Sequence, residues 1–373
     1  MRYFGNTALS VTLLLVASGV TWGAAKAPPP EPEPNGTLAM KYDARGASRS
    51  TTPSMLAGGN RFSVGSSSSM GIKVAGKSVK TSAKISGKKF YLGFDRNGDG
   101  AIAKSEWAMI PASGTMRITG KAGDLSYSVT LIKMRVSYNK KTVSCWGQAL
   151  IRSSMAGTLN RIPVRILDDN MDGKFTQTAS KHSGDAILIG RSTSAIPLKK
   201  MHRIGKHIYN LTVAADGSSI EYKRVDDLKF GQVKTALPSS LLSSLVLVGA
   251  DCAYDVKTDG MIGIPEGTYQ LAYGLVGRSS SKLSIKPGRT TPQYPVVAGM
   301  INTLRIGKPI RLDFAASYRG GKVELSAYNV RVVGAGGEIY GPIDFTKNGN
   351  AKPPVVTILN GRRVASSSSM QYG

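Results

Sequence analysis

Leu125-Ser126-Tyr127-Ser128-Val129-Thr130-Leu131 sets apolar residues at every second position, and Ile132-Lys133-Met134-Arg135-Val136-Ser137-Tyr138 continues the alternation in the opposite phase. Period-two patterning turns one side of an extended chain toward a core, so this stretch reads as a long β-strand. A one-residue slip inside it is what a β-bulge produces, where two residues of one strand oppose one of its neighbour. The same pattern recurs along the chain. Tyr209, Leu211 and Val213 alternate up to Asp216-Gly217, and Ile220 and Tyr222 resume beyond it. Val323, Leu325 and Ala327 follow Arg319-Gly320-Gly321. Both read as hairpins that turn on glycine. Helical periodicity is scarce, with Lys104 to Ile110 and Leu237 to Ser244 the best short candidates. Recurrent turn signals and 43 glycines complete the expectation of a mainly β chain, built as two or three β-sandwich or Ig-like modules with little helix.

The N-terminal residues read as an address. Arg2 supplies a positive start, Ala8 to Val20 an apolar core, and Gly23-Ala24-Ala25 the small residues of a cleavage site. A core of about 13 residues is short of the ~20 that a spanning helix needs. The expectation is a signal peptide over residues 1–25 and a protein secreted to the medium, the periplasm or the cell envelope, with no transmembrane span after cleavage. Ala27-Pro28-Pro29-Pro30-Glu31-Pro32-Glu33-Pro34 then enforces extended chain and reads as an unpacked linker over 26–38. The expected divisions beyond it are a β-rich domain at 39–230, a small module at 235–283 and a C-terminal module at 284–373, the last two separate or fused. Ile264-Pro265-Glu266-Gly267-Thr268-Tyr269-Gln270-Leu271 resembles the proline-glycine-tyrosine turn before a strand in small secreted Ig-like or prealbumin-like modules.

Two stretches carry chemistry. Asp95-Arg96-Asn97-Gly98-Asp99-Gly100-Ala101-Ile102-Ala103-Lys104-Ser105-Glu106 places oxygen side chains at positions 1, 3 and 5, glycine at 6, an apolar residue at 8 and glutamate at 12. Ca2+ takes six to eight hard oxygen ligands. Asp95, Asn97 and Asp99, the Ala101 carbonyl and a bidentate Glu106 supply them at that spacing. Asp168-Asp169-Asn170-Met171-Asp172-Gly173-Lys174-Phe175 repeats positions 1, 3, 5, 6 and 8, with Asp168, Asn170, Asp172 and the Lys174 carbonyl as the corresponding ligands. Ala179 stands at position 12 and cannot ligate. The next acid, Asp185, closes the sphere only across a wider loop. Both stretches resemble EF-hand calcium loops, and calcium is the cofactor that the resemblance implies. The approaches depart from that family, because Lys89 to Phe94 and Ile162 to Leu167 look like strands where an EF-hand has a helix. The arrangement resembles the strand-associated loops of secreted bacterial proteins, in which calcium is structural.

Forty-nine basic against 23 acidic residues give a net charge of +26, a field that favours anionic partners such as envelope or matrix polysaccharide. Only 7% of residues are aromatic, so a stacking platform for single-stranded nucleic acid is not expected, and nothing points to a specific nucleic acid. Catalytic patterns are thin. His182, His202 and His207 show no metalloprotease spacing, and no nucleophile elbow occurs. Gly334-Ala335-Gly336-Gly337-Glu338-Ile339 misses the dinucleotide fingerprint at its third glycine. Cys145 and Cys252 are the only cysteines, able to form one disulfide or to stay as buried thiols. The expectation is a secreted, calcium-binding, non-catalytic structural or surface-binding protein. A secreted hydrolase with structural calcium and a binder of anionic polymers are the alternatives.

Overall fold

Leu125–Tyr138 lies antiparallel between Met116–Ala122 and Val143–Ile151, and Arg61–Val64 completes a four-stranded sheet. Its register against Val143–Ile151 shifts between Ile132 and Arg135, at the phase change in the sequence. Val129 and Leu131 are buried before the shift and Met134 after it, so the bulge keeps apolar residues inward on both sides. The computed structural model describes residues 33–44, 61–65, 72–74, 77–122, 125–138, 143–177, 184–192, 194–238, 240–256, 262–277, 283–313, 316–319, 322–325, 331–341, 355–360 and 363–369. The expected signal peptide and most of the linker fall outside them.

The protein is mainly β: among the described residues the sole helical element is a 3-10 turn at Lys104–Glu106. Both anticipated hairpins form, His207–Val213 with Ser219–Val225 and Ala316–Arg319 with Lys322–Leu325. The two short helix candidates do not. Trp107–Met109 is a strand pairing with Tyr91–Gly93, and the Ile110 N–H reaches the Phe90 carbonyl, so that segment's hydrogen bonds go to a neighbouring strand. After Pro238 only one turn closes, with Leu241 and Leu242 donating to its carbonyl. Leu242–Val248 then extends as a strand buried on both faces, where β-branched and leucine side chains pack best. Strand pairing also begins earlier than the linker reading allowed. Asn35–Ala39 pairs with Ser219–Val225, because past Pro34 each residue again offers an N–H to a ladder.

Residues 34–373 cluster as one unit apart from Met1–Glu33. Within it, Ile196–Pro197, Ala186–Ile189, Ile162–Leu167, Ser154–Leu159 and Lys41–Asp43 form a five-stranded sheet, and Lys89–Phe94 pairs with Thr81–Ser86 and Trp107–Met109. An eight-stranded sheet runs from Ala253–Asp255 through Gly267–Val276 and Leu283–Lys286 to Arg311–Asp313, crossing residue 284. Phe230–Thr235 pairs parallel with Ile301–Leu304 and antiparallel with Ile262–Pro265. In the Pro-Gly-Tyr turn the Tyr269 hydroxyl donates to the Pro265 carbonyl at 2.8 Å, tying the strand start to the residue four before it. One apolar cluster matters for the site: it contains Leu92, Phe94, Val129, Leu131, Leu167, Met171 and Leu188. Both metal-like loops leave strands rooted in it.

Candidate metal centre

Asp95 follows directly on a strand whose Leu92 and Phe94 are fully buried, and Asp168 on a strand whose Ile166 and Leu167 are. In the first loop Asp95 folds back over its own chain, Oδ1 accepting from the Gly98 N–H at 2.7 Å and Oδ2 from Gly100 at 2.8 Å. Asn97 Oδ1 accepts from the Asp99 N–H at 3.1 Å, and Asp99 Oδ1 from Ala101 at 2.8 Å. Glu106, on the 3-10 turn, closes the ring from the other side. Its Oε1 accepts from Arg96 at 2.7 Å and Asn97 at 3.1 Å, and its Oε2 from Ala103 at 2.9 Å. Gly98 and Gly100 both have φ of 81°, the left-handed region where a Cβ is costly. Lys80 Nζ donates to the Gly100 carbonyl at 2.7 Å.

The second loop largely repeats this, except that Asp168 Oδ1 accepts from the fifth loop residue where Asp95 Oδ1 accepts from the fourth. Asp168 accepts from Asp172 at 3.1 Å and Gly173 at 2.9 Å, Asn170 Oδ1 from Asp172 at 3.0 Å, and Asp172 Oδ1 from Lys174 at 2.8 Å. Met171 and Gly173 have φ of 62° and 83° at the places of Gly98 and Gly100. Asp185 takes the place of Glu106. Its Oδ1 accepts from Asp169 at 3.1 Å and its Oδ2 from Thr176 at 2.6 Å, the second and ninth residues of the loop. Those are the loop positions of Arg96 and Ala103. Ala179, at the nominal closing position, lies outside the described residues.

Flanking contacts hold each loop to a neighbour. Phe175 donates to the Ala215 carbonyl at 2.8 Å beside the hairpin tip, where a Cβ on Gly217 (φ 73°) would lie 2.5 Å from the Phe175 ring. Ile102 and Trp107 close over Gly93, whose Cβ would lie 2.8 Å and 3.0 Å from them. Lys84 Nζ stands 3.9 Å from the centre of the Trp107 ring.

The four closing and opening carboxylates are buried: Asp95 is 6% exposed, Glu106 5%, Asp168 7% and Asp185 2%. Burial pushes the Asp168 carboxyl up to about 6, opposed by the Gly173 N–H and reinforced by the Asp172 charge. Burial pushes Asp185 up to about 8, opposed by the Thr176 N–H and reinforced by Asp168 and Asp172. Asp99 is exposed and held below the usual carboxylate range, chiefly by the Ala101 N–H and then by Asn97. The ion pairs of the described residues, Arg165 with Asp43 and Arg224 with Asp226, involve none of these acids. Among the described residues no three His, Cys, Asp or Glu side chains converge as a metal-binding group. The donors that each loop offers are carboxylate, amide and carbonyl oxygens, the hard set that Ca2+ accepts, and a carboxylate bonded to an N–H keeps lone pairs for a cation. The residues therefore fit calcium.

The remaining sequence candidates lie apart from catalytic geometry. His202 is fully buried and its Nε2 accepts from the Lys199 N–H at 2.9 Å, while burial lowers its pKa to about 3. His182 lies outside the described residues. Glu338 accepts from Gly307, Gly336 and the Tyr340 hydroxyl at 2.7–2.9 Å, locking the glycine-rich turn that sequence could not assign. Cys145 and Cys252 are buried free thiols in separate apolar clusters, and burial pushes Cys145 up to about 11. No helix among the described residues is long and apolar enough to cross a membrane. No family model matches this chain, and no curated protein or solved structure does.

Proposed function

We propose that this is a secreted, non-catalytic, calcium-ordered protein of β-sandwich modules, which attaches to anionic envelope or matrix polymers. Asp95, Asn97, Asp99, the Ala101 carbonyl and Glu106 would hold one Ca2+. Asp168, Asn170, Asp172, the Lys174 carbonyl and Asp185 would hold a second. The ion supplies positive charge to buried carboxylates and fixes each loop against the shared core, a structural service. The observation that carries the reading is the match between the loops, above all Asp185 bonding the same two loop N–H groups as Glu106. Filling sites of about 10^-4 to 10^-3 M affinity with millimolar calcium contributes on the order of 1–3 kcal/mol. Thermal unfolding with millimolar Ca2+ is expected to exceed unfolding with chelator by about 5 °C. Asp95→Ala is expected to remove much of that difference. A midpoint indifferent to calcium refutes the structural-calcium reading.

A further inference from the structure

Beside the first loop lies a cleft of about 550 Å3, within the ~300–1,000 Å3 range of small-ligand sites. Arg96, Arg117 and Lys121 line it together with Thr119, Ser126 and Tyr127, and among the described residues no carboxylate does. The strand Met116–Ala122 alternates, so Arg117, Thr119 and Lys121 stand on one face about 7 Å apart in steps of two residues. Arg96 lines the cleft from the loop, which is tied to this strand where the Arg96 carbonyl accepts from the Lys121 N–H at 2.7 Å. Arg117 Nε donates to the Ser128 hydroxyl at 3.1 Å, which fixes its stem on the sheet. The Tyr127 side chain is 2% exposed. Its hydroxyl and Arg96 Nε are buried with no hydrogen-bond partner among the described residues.

We infer that this cleft binds a short segment of an acidic saccharide, its acid groups on Arg96, Arg117 and Lys121 and its hydroxyls on Thr119 and Ser126. The inference rests on the proposed attachment to anionic polymers and gives that attachment a place. The chemistry favours a saccharide over nucleic acid. Tyr127, the one aromatic residue among the described lining residues, is buried and offers no open face on which a base stacks. Ser and Thr hydroxyls match a sugar's own donors and acceptors.

The test measures binding of the purified protein to a polyuronate, with neutral dextran as control. Arg96→Gln/Arg117→Gln/Lys121→Gln is compared with Lys88→Gln/Lys89→Gln/Lys206→Gln, which removes the same charge from exposed positions elsewhere. The cleft variant is expected to lose about tenfold or more in affinity and the distal variant less than about threefold. The single change Lys121→Gln, at an exposed side chain, is expected to lose about threefold and serves if the triple variant fails to fold. Equal losses in the cleft and distal variants overturn the site while leaving general attachment standing. A wild-type protein that ignores polyuronate at low salt overturns both, and equal binding to dextran overturns the acid-recognition chemistry.

Discussion

The two loops build one cage from different chain lengths. The first closes within twelve residues, by a glutamate carried on a 3-10 turn. The second closes six residues later, by an aspartate at the entry to Ala186–Ile189. The shorter acid works because the neighbouring strand, not the loop itself, brings it in: Leu167 pairs with Ala186, next to Asp185. A spacing rule sees only closure by the loop's own chain, whereas the cage requires an acid within reach of the second and ninth N–H groups, whatever supplies it. The loops also differ at their fourth residue. Gly98 takes the left-handed conformation without strain, while Met171 takes it with a side chain 5% exposed in the core. There, burial of roughly 1.5–3 kcal/mol outweighs a conformational cost of roughly 1–2 kcal/mol.

The equivalence is broken most directly at its closing acids. Asp185→Ala, which takes the acceptor from the buried Asp169 N–H and the half-buried Thr176 N–H, is expected to cost about 3 kcal/mol and to lower bound calcium from two ions to one. Denaturant unfolding and equilibrium dialysis read both. Two ions and unchanged stability in that variant would dissolve the comparison. Gly100→Ala comes next. Its Cβ meets nothing within 4 Å, so chemical denaturation reads the left-handed cost alone, about 1–2 kcal/mol. Met171→Gly is the smallest effect and the sharpest in sign. It is expected to destabilise by about 0.5–1 kcal/mol, and a stabilised variant would mean that strain exceeds packing at this position.

Much of the architecture was legible because period-two alternation is strong where one face is buried. The bulge in Leu125–Tyr138 and the Asp216-Gly217 hairpin followed from it directly. The two helix candidates misled for a physical reason: short mixed runs such as Trp107-Ala108-Met109 carry no period of their own, and edge pairing with Tyr91–Gly93 decided them. In the candidate site, the first loop's residues were readable from spacing, since its ring closes locally. Asp185 was visible only as the next acid in line. Its bonds to Asp169 and Thr176 depend on strand register. The buried His202 and the three-donor lock on Glu338 carried no sequence signal, because both arise from long-range packing.

Trp107 follows Glu106 without a spacer and holds the Lys84 ammonium against its ring. A cation over an indole face changes the gap between the ring's ground and excited states, so the emission wavelength depends on where that ammonium stands. The chain has three tryptophans, and replacing Trp22 and Trp146 with phenylalanine leaves Trp107 as the single indole. The first loop thus carries its own optical gauge, in which a shift of its closing residue reads out as colour without an added label.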